Sequence, residues 1–141
     1  MKSLGIDYGT KKVGLAMSDR EGLMAFPLKI IKNDQALIEN ISTIILENTI
    51  EKIFVGKSLG SFGEENKVQK DIDLFIGKLK KITSVPVETV IESFTSSHGR
   101  IGIDKSSLNE RKTKQVHEGF VDAKAATLIL QRGLDKNTTI Q

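Results

Sequence analysis

The sequence has no cysteine and no tryptophan, one tyrosine, two prolines and two histidines among its 141 residues. Without cysteine there is no disulfide, no thiolate nucleophile, no thiolate zinc site and no iron–sulfur cluster. Two histidines are too few for an all-histidine metal centre, so any metal would sit on oxygen ligands. Aromatic residues are 5% of the chain, which argues against a single-strand binder that works by base stacking. The same scarcity favours recognition of backbone and shape. No apolar run approaches the ~18 residues that suggest a membrane span. The opening Met1-Lys2-Ser3-Leu4-Gly5-Ile6-Asp7 meets an acid and a glycine too early for a signal-peptide core. The expectation is a cytoplasmic protein with no membrane partner. Pro27 and Pro86 mark no proline-rich linker, and no repeat or low-complexity segment is present.

What remains is 38% hydrophobic and 28% charged, the balance of a globular chain rather than a disordered one. The length suits a single domain over 1–141. Net charge is +3, too little by itself to indicate a polyanion partner. Its location says more. Between Ser93 and Gln115 stand Arg100, Lys105, Arg111, Lys112 and Lys114 against Asp104 and Glu110, so this window carries the whole excess. It reads either as a solvated loop or as a patch that displaces counterions from a nucleic-acid backbone.

The periodicity predicts βββ-α-β-α-β-loop-α. Leu4 and Ile6 alternate with Gly5 and Asp7, a first strand. Val13, Leu15 and Met17 alternate with Gly14, Ala16 and Ser18, a second strand with one bulky and one small face. A third spans Leu23 to Ile31, with Pro27 pointing to an edge or a bulge. Leu37, Ile38, Ile41, Ile44 and Ile45 take helical spacing behind Asp34, an expected N-cap. Ile53 to Gly56 is a short buried strand. Val68, Ile72, Phe75, Leu79 and Ile82 mark a second helix, Val85 to Glu92 a last strand. Val121, Ala125, Leu128 and Ile129 set the apolar arc of a closing helix that ends near Gly133. A hairpin meander followed by right-handed β-α-β units predicts an α/β fold. It is a mixed five-stranded sheet, three antiparallel strands plus two parallel ones, flanked by helices.

Three carboxylates stand out. Asp7 and Glu92 end strands whose carboxyl ends line the ligand crevice of an open α/β sheet. Asp122 falls beside Ile129, inside the apolar arc of the closing helix, where an unpartnered carboxylate is costly. A first-turn acid serving the helix dipole explains Asp122 in part, but not its face. Three convergent acids without cysteine suit a hard divalent ion, Mg²⁺ with Mn²⁺ as substitute. Paired ions of this kind activate water and stabilise the leaving oxygen of a phosphodiester.

The run Leu4-Gly5-Ile6-Asp7-Tyr8-Gly9-Thr10-Lys11-Lys12-Val13-Gly14-Leu15-Ala16-Met17-Ser18-Asp19 closely resembles the opening of the YqgF family. These proteins are described as Holliday-junction resolvases or pre-16S ribosomal RNA processing nucleases on a ribonuclease H-like fold. Gly56 matches the family's strand-ending glycine. Glu92-Ser93-Phe94-Thr95-Ser96 is similar to its Asp-Glu-Arg-Leu-Thr-Thr segment, and 121–131 to its final helix. The resemblance implies that Asp7, Glu92 and Asp122 bind the metal and carry catalysis. It also implies a nucleic-acid partner, structured RNA or branched DNA, served by a monomer or weak homodimer. Ile91 stands where the family has an acid, Ser93 where it has an arginine, and Lys57-Ser58 where it has a proline. Lys57, Arg100 or a lysine of the 93–115 loop could replace the missing arginine.

Lighter signals have competing readings. Lys11 and Lys12 suit phosphate contacts, or are ordinary turn lysines. Gly9 and Thr10 could offer N–H groups to a phosphate or simply close a hairpin. Thr95 and Ser96 read as helix caps, Phe94 as core, His98 and His117 as surface. Asp7-Tyr8-Gly9-Thr10 with Gly14 also resembles the phosphate-binding hairpin of actin-like kinases, a fold that needs two such domains. A non-catalytic binding module is the remaining alternative.

Overall fold

The computed structural model describes residues 1–57, 63–91 and 123–136, with the side chains of 63–68 excepted. Its elements are β1 (Ser3–Asp7), β2 (Lys12–Ser18), β3 (Ala25–Lys32), α1 (Leu37–Glu47), β4 (Lys52–Lys57), α2 (Gly63–Ile82) and β5 (Val87–Ile91). A closing helix, α3, covers 123–136. The sheet order is β3-β2-β1-β4-β5. β1 is antiparallel to β2 and β2 to β3, whereas β1, β4 and β5 run parallel. The expected mixed five-stranded sheet is therefore present, with its element order.

Alternation sorts the strand residues between two cores. Leu4, Ile6, Val13, Leu15, Ile53 and Val55 meet Leu37, Ile41, Ile44 and Ile45 of α1 and Ile72, Phe75 and Leu79 of α2. The opposite face is closed by α3, whose Ala126, Ile129, Leu130 and Leu134 pack with Ala16, Phe54 and Val90. Here the approach is close: a Cβ on Gly5 would lie 2.6 Å from Leu130 Cβ and 2.9 Å from the Ala126 carbonyl oxygen. Only glycine lets this helix rest on β1.

Several local features differ from the expectations. Asp34 is not the cap residue of α1; Ala36 holds that position without a side-chain bond. Asp34 forms the turn before it, its Oδ1 accepting the Ala36 N–H at 2.9 Å and its carbonyl accepting Leu37 N–H at 3.1 Å, the local bonding that aspartate favours. Ile82 is 41% exposed and Leu128 is 55% exposed. Leu128 stands across the helix from the buried arc, which is set by Ala123, Ala126, Ile129, Leu130 and Leu134. The helix also continues through Gly133 rather than ending there. That glycine is a notch for an aromatic ring, because a Cβ on it would come within 2.7 Å of Phe54 Cε1. Pro27 behaves as expected: β3 is an edge strand, and Leu15 opposes Lys29 while Ala16 opposes Pro27, so Leu28 is the extra residue of a bulge.

Gln131 fastens α3 to the other end of the sheet from Asp7. Its Oε1 accepts Ala25 N–H at 2.9 Å and its Nε2 donates to the Leu23 carbonyl at 2.9 Å. Ala25 pairs with Ser18, and Ser18 Oγ accepts Ser3 N–H at 2.8 Å at the start of β1.

Candidate active site

Asp7 is the last residue of β1, a central strand with neighbours on both sides. Its carboxylate is half-buried. Alternation from Gly5 places it on the α3 face. Gly14 on β2 is its partner across the antiparallel pair. On the parallel side Ile6 is opposite Val55, so Asp7 comes level with Gly56. The acid is therefore flanked on both neighbouring strands by residues without side chains. A carboxylate is an oxygen ligand of the kind a hard divalent cation takes.

The carboxyl ends of β1, β4 and β5 lie at one edge, as parallel strands require. Lys57 at the end of β4 pairs with Ile91 at the end of β5. β4 stands between β1 and β5, so the ends of β1 and β5 are next-nearest neighbours, ~9.6 Å apart at ~4.8 Å per strand. Glu92 follows Ile91 in the chain and Asp122 precedes Ala123; both lie outside the described residues, as do Arg100, Lys105, Arg111, Lys112, Lys114, Phe94, Thr95, Ser96, His98 and His117. Among the described residues there is no cluster of three metal-ligating side chains.

The remaining expected contacts divide by face. Lys11 and Lys12 are exposed at the β1–β2 hairpin, beside Asp7. Lys57 is turned the other way, its Nζ 3.4 Å from Asp73 Oδ1 on α2. Tyr8 also faces that side, its ring 4.8 Å from Phe75, at the wall of a cavity of about 230 Å³ that Asp34, Leu74 and Lys78 help to line. The Gly9–Thr10 turn closes the hairpin against Asn33: the Asn33 Nδ2 donates to the Gly9 carbonyl at 2.7 Å, and its backbone N–H donates to the Lys11 carbonyl at 3.0 Å.

Two supporting residues escape a reading by motif. Asn33 holds the turn that follows Asp7, and its only sequence mark is its place after a strand. Arg132 Nη1 donates to the Ile91 carbonyl at 2.8 Å, tying α3 to the end of β5 just before Glu92. An arginine forty-one positions away leaves no local signal for such a bond.

Residues 1–136 match the family described as RuvX: Holliday junction resolvase. A Chlorobaculum tepidum protein provisionally named a pre-16S rRNA nuclease is 36% identical over 138 residues, which cover 96% of this chain and 94% of its own length. A protein of Oleidesulfovibrio alaskensis with the same provisional name is 31% identical over 137 residues, covering 96% and 92%. Among solved structures, the fowlpox virus Holliday junction resolvase aligns with a TM-score of 0.53 at 15% identity, covering 100% of both chains. Thermus thermophilus RuvC in complex with Holliday junction substrate aligns at 0.50 with 18% identity over 64% of each chain. At these identities the structural likeness speaks to the fold, which is the ribonuclease H-like one that the opening motif implied.

Proposed function

The chain belongs to the RuvX family, also called YqgF; on that premise we propose that it is a divalent-metal-dependent nuclease that hydrolyses phosphodiester bonds, and that its task is 5′-end processing of pre-16S ribosomal RNA. The observation that carries the reading is the setting of Asp7. It is an acid at the carboxyl end of a central strand, level with glycine on both neighbours and on the face that α3 covers.

The other two acids of the proposed site, Glu92 and Asp122, adjoin described elements in the chain. Val90, on the α3 face of β5, stands two positions before Glu92 in the chain. Asp122 immediately precedes Ala123, the first described residue of α3, in the chain. Ala126, whose carbonyl sits beside Gly5, comes shortly after Asp122 in the chain. Gln131 is at the far end of the sheet, so the helix start is directed toward the Asp7 end.

Asp7, Glu92 and Asp122 would hold Mg²⁺ or Mn²⁺, which neutralises phosphate charge and lowers the pKa of a bound water. The chain's own part is positional. β1 fixes Asp7, Arg132 fixes the end of β5 that precedes Glu92 in the chain, and Asp122 would act from the position just before α3. The basic 93–115 segment supplies cations for the flanking backbone. We read 1–141 as one domain, because α3, near the chain's end, completes the core on β1 at its beginning. Ribosomal RNA as substrate places the protein in the cytoplasm; among the described residues no helix is long and apolar enough to cross a membrane.

A second reading, resolution of branched DNA, is favoured by the family's description. Paired symmetric cuts would call for a two-fold dimer. The test is incubation with Mg²⁺ of a 5′-extended 16S precursor RNA and, separately, a four-way DNA junction. Cleavage of the RNA by the parent protein is expected. Asp7→Asn should lower cleavage by about 10²-fold or more, the scale for losing an electrostatic group at the reacting centre, with nucleic-acid binding kept. Cutting of the junction alone, by a dimer in light scattering, would move the assignment to DNA. An Asp7→Asn variant that cuts like the parent would overturn the mechanism.

A further inference from the structure

We infer that the cavity between α1 and α2 is a pocket for a guanine base, a binding site separate from the proposed catalytic one and independent of whether the chain cuts. The cavity has a volume of about 230 Å³. A cavity of ~150 Å³ holds benzene, so this one has room for a bicyclic base. It lies at the Asp7 edge of the sheet but on the opposite face, since Tyr8 follows Asp7 and packs with the α1 and α2 core.

The walls supply a surface for a flat ring. Tyr8 is half-buried, and the buried Phe75 backs its ring at 4.8 Å with a tilt of 38°. Leu74, 66% exposed, adds apolar surface from α2. An unstacked base laid on such a wall is removed from water on one side. Aromatic residues are only 5% of the chain, too few for a run of stacked bases, but one ring serves one base.

The polar groups choose among bases. Asp71 is half-buried on α2, and among the described residues its carboxylate has no hydrogen-bond or ion-pair partner. Lys78 stands two turns further along the same side of α2, and its ammonium is likewise unpaired among the described residues. Asn33 uses only its Nδ2, on the Gly9 carbonyl, which leaves its Oδ1 to accept. A ligand that satisfies this set offers donors to a carboxylate and acceptors to an ammonium. Guanine does both. Its N1–H and N2–H₂ are adjacent donors for the two oxygens of a carboxylate, and its O6 and N7 are acceptors that lysine takes. Adenine, cytosine and uracil lack that adjacent donor pair. An arginine side chain has a donor fork but no acceptor for Lys78. Asp34 and Asp71 together repel a phosphate, so the base enters and the sugar-phosphate stays outside.

The chain has one tyrosine, so tyrosine ring resonances report on this cavity. The full chain, without divalent cation so that nothing is cut, is titrated with guanosine, inosine, adenosine and cytidine 5′-monophosphates. NMR follows the Tyr8 ring and calorimetry gives the affinities. The guanosine nucleotide should shift the Tyr8 signals. Inosine, which lacks N2–H₂, should bind about tenfold more weakly, and the other two more weakly still. Asp71→Asn should lower guanosine affinity about tenfold or more and narrow the gap between guanosine and inosine, which a merely structural loss would not do. Two further arms separate the sources of the base: a short single-stranded RNA with one guanine, and the same strand with inosine in its place. A Tyr8 shift that prefers the guanine strand assigns the pocket to a base of a bound strand; a shift with the mononucleotide alone assigns it to a free nucleotide. Either outcome supports the pocket. Equal binding of all four nucleotides overturns it, as does a Tyr8 signal that none of them moves. A shift with N-acetylarginine amide and none with guanosine overturns it in favour of a peptide site. No readout here requires cleavage, so failure of the pocket leaves the nuclease reading standing, and the absence of cleavage leaves the pocket.

Discussion

On the face covered by α1 and α2, β1 and β2 present Leu4, Ile6, Val13 and Leu15, each fully buried. On the face covered by α3 the same two strands present Ser3, Gly5, Asp7, Gly14 and Ala16. The first face stabilises by area: each such branched side chain contributes about 1.5–3 kcal/mol on burial. The second gains little from β1 and β2 and gives instead a close helix approach at Gly5 and a carboxylate with bare flanks. Phe54 is the large side chain of that face, and Gly133 makes room for it. One sheet thus keeps its stability on one side and its chemistry on the other. A β-strand can do this because its side chains alternate.

That contrast can be broken first on the bulky side. Leu79 of α2 is fully buried, and Leu79→Ala should cost about 2–5 kcal/mol by leaving a cavity. Urea unfolding reads the loss. Cleavage per folded molecule should stay near the parent's, since the α3 face is untouched. On the small side, Gly5→Ala inserts a methyl into the contact with Leu130 and Ala126 and should cost about 1–3 kcal/mol. Here the cleavage rate should fall further than stability does, because α3 closes the face of the sheet that carries Asp7. If Leu79→Ala slows cleavage more than Gly5→Ala at matched folded fraction, the division between the faces is wrong.

The smallest effect is expected at the sheet end away from Asp7. Asp19 Oδ1 accepts the N–H groups of Leu23 at 2.8 Å and Met24 at 3.3 Å. The Leu23 N–H, aided by those of Met24 and Gly22, holds the carboxyl below its ordinary value against a partial opposing desolvation. A lowered folded-state pKa stabilises the fold above the unfolded value, and that gain is lost as pH falls through the folded one. The window therefore lies below about pH 4. Asp19→Asn should flatten the drop in melting temperature across that window and leave cleavage at neutral pH unchanged.

Much of this was legible in the amino-acid order, and particular residues show why. Leu4, Ile6, Val13 and Leu15 announce strands through period two, and Leu37, Ile41, Ile44 and Ile45 announce a helix through period 3.6; both periods are properties of the backbone. Pro27 foretold an edge strand with a bulge, because it lacks an N–H. Asp7 was visible because a charged residue ends an otherwise apolar strand, and its family resemblance rests on contiguous residues. Leu128 misled because hydrophobicity alone does not say which side of a helix meets the sheet; Ala123, Ala126 and Gly133 define that side by being small. Asp34 misled because an aspartate can bond the turn before a helix as well as its first N–H groups.

Local periodicity and chemistry thus settled, from the chain alone, which segments become strands and helices and which acid ends the central one. Neighbourhood was decided only in three dimensions. That Gly14 and Gly56 flank Asp7 and that Arg132 reaches the Ile91 carbonyl both depend on strand register and helix placement. Those are fixed by the joint packing of two cores, and contacts between residues tens of positions apart leave no mark in the order of either partner.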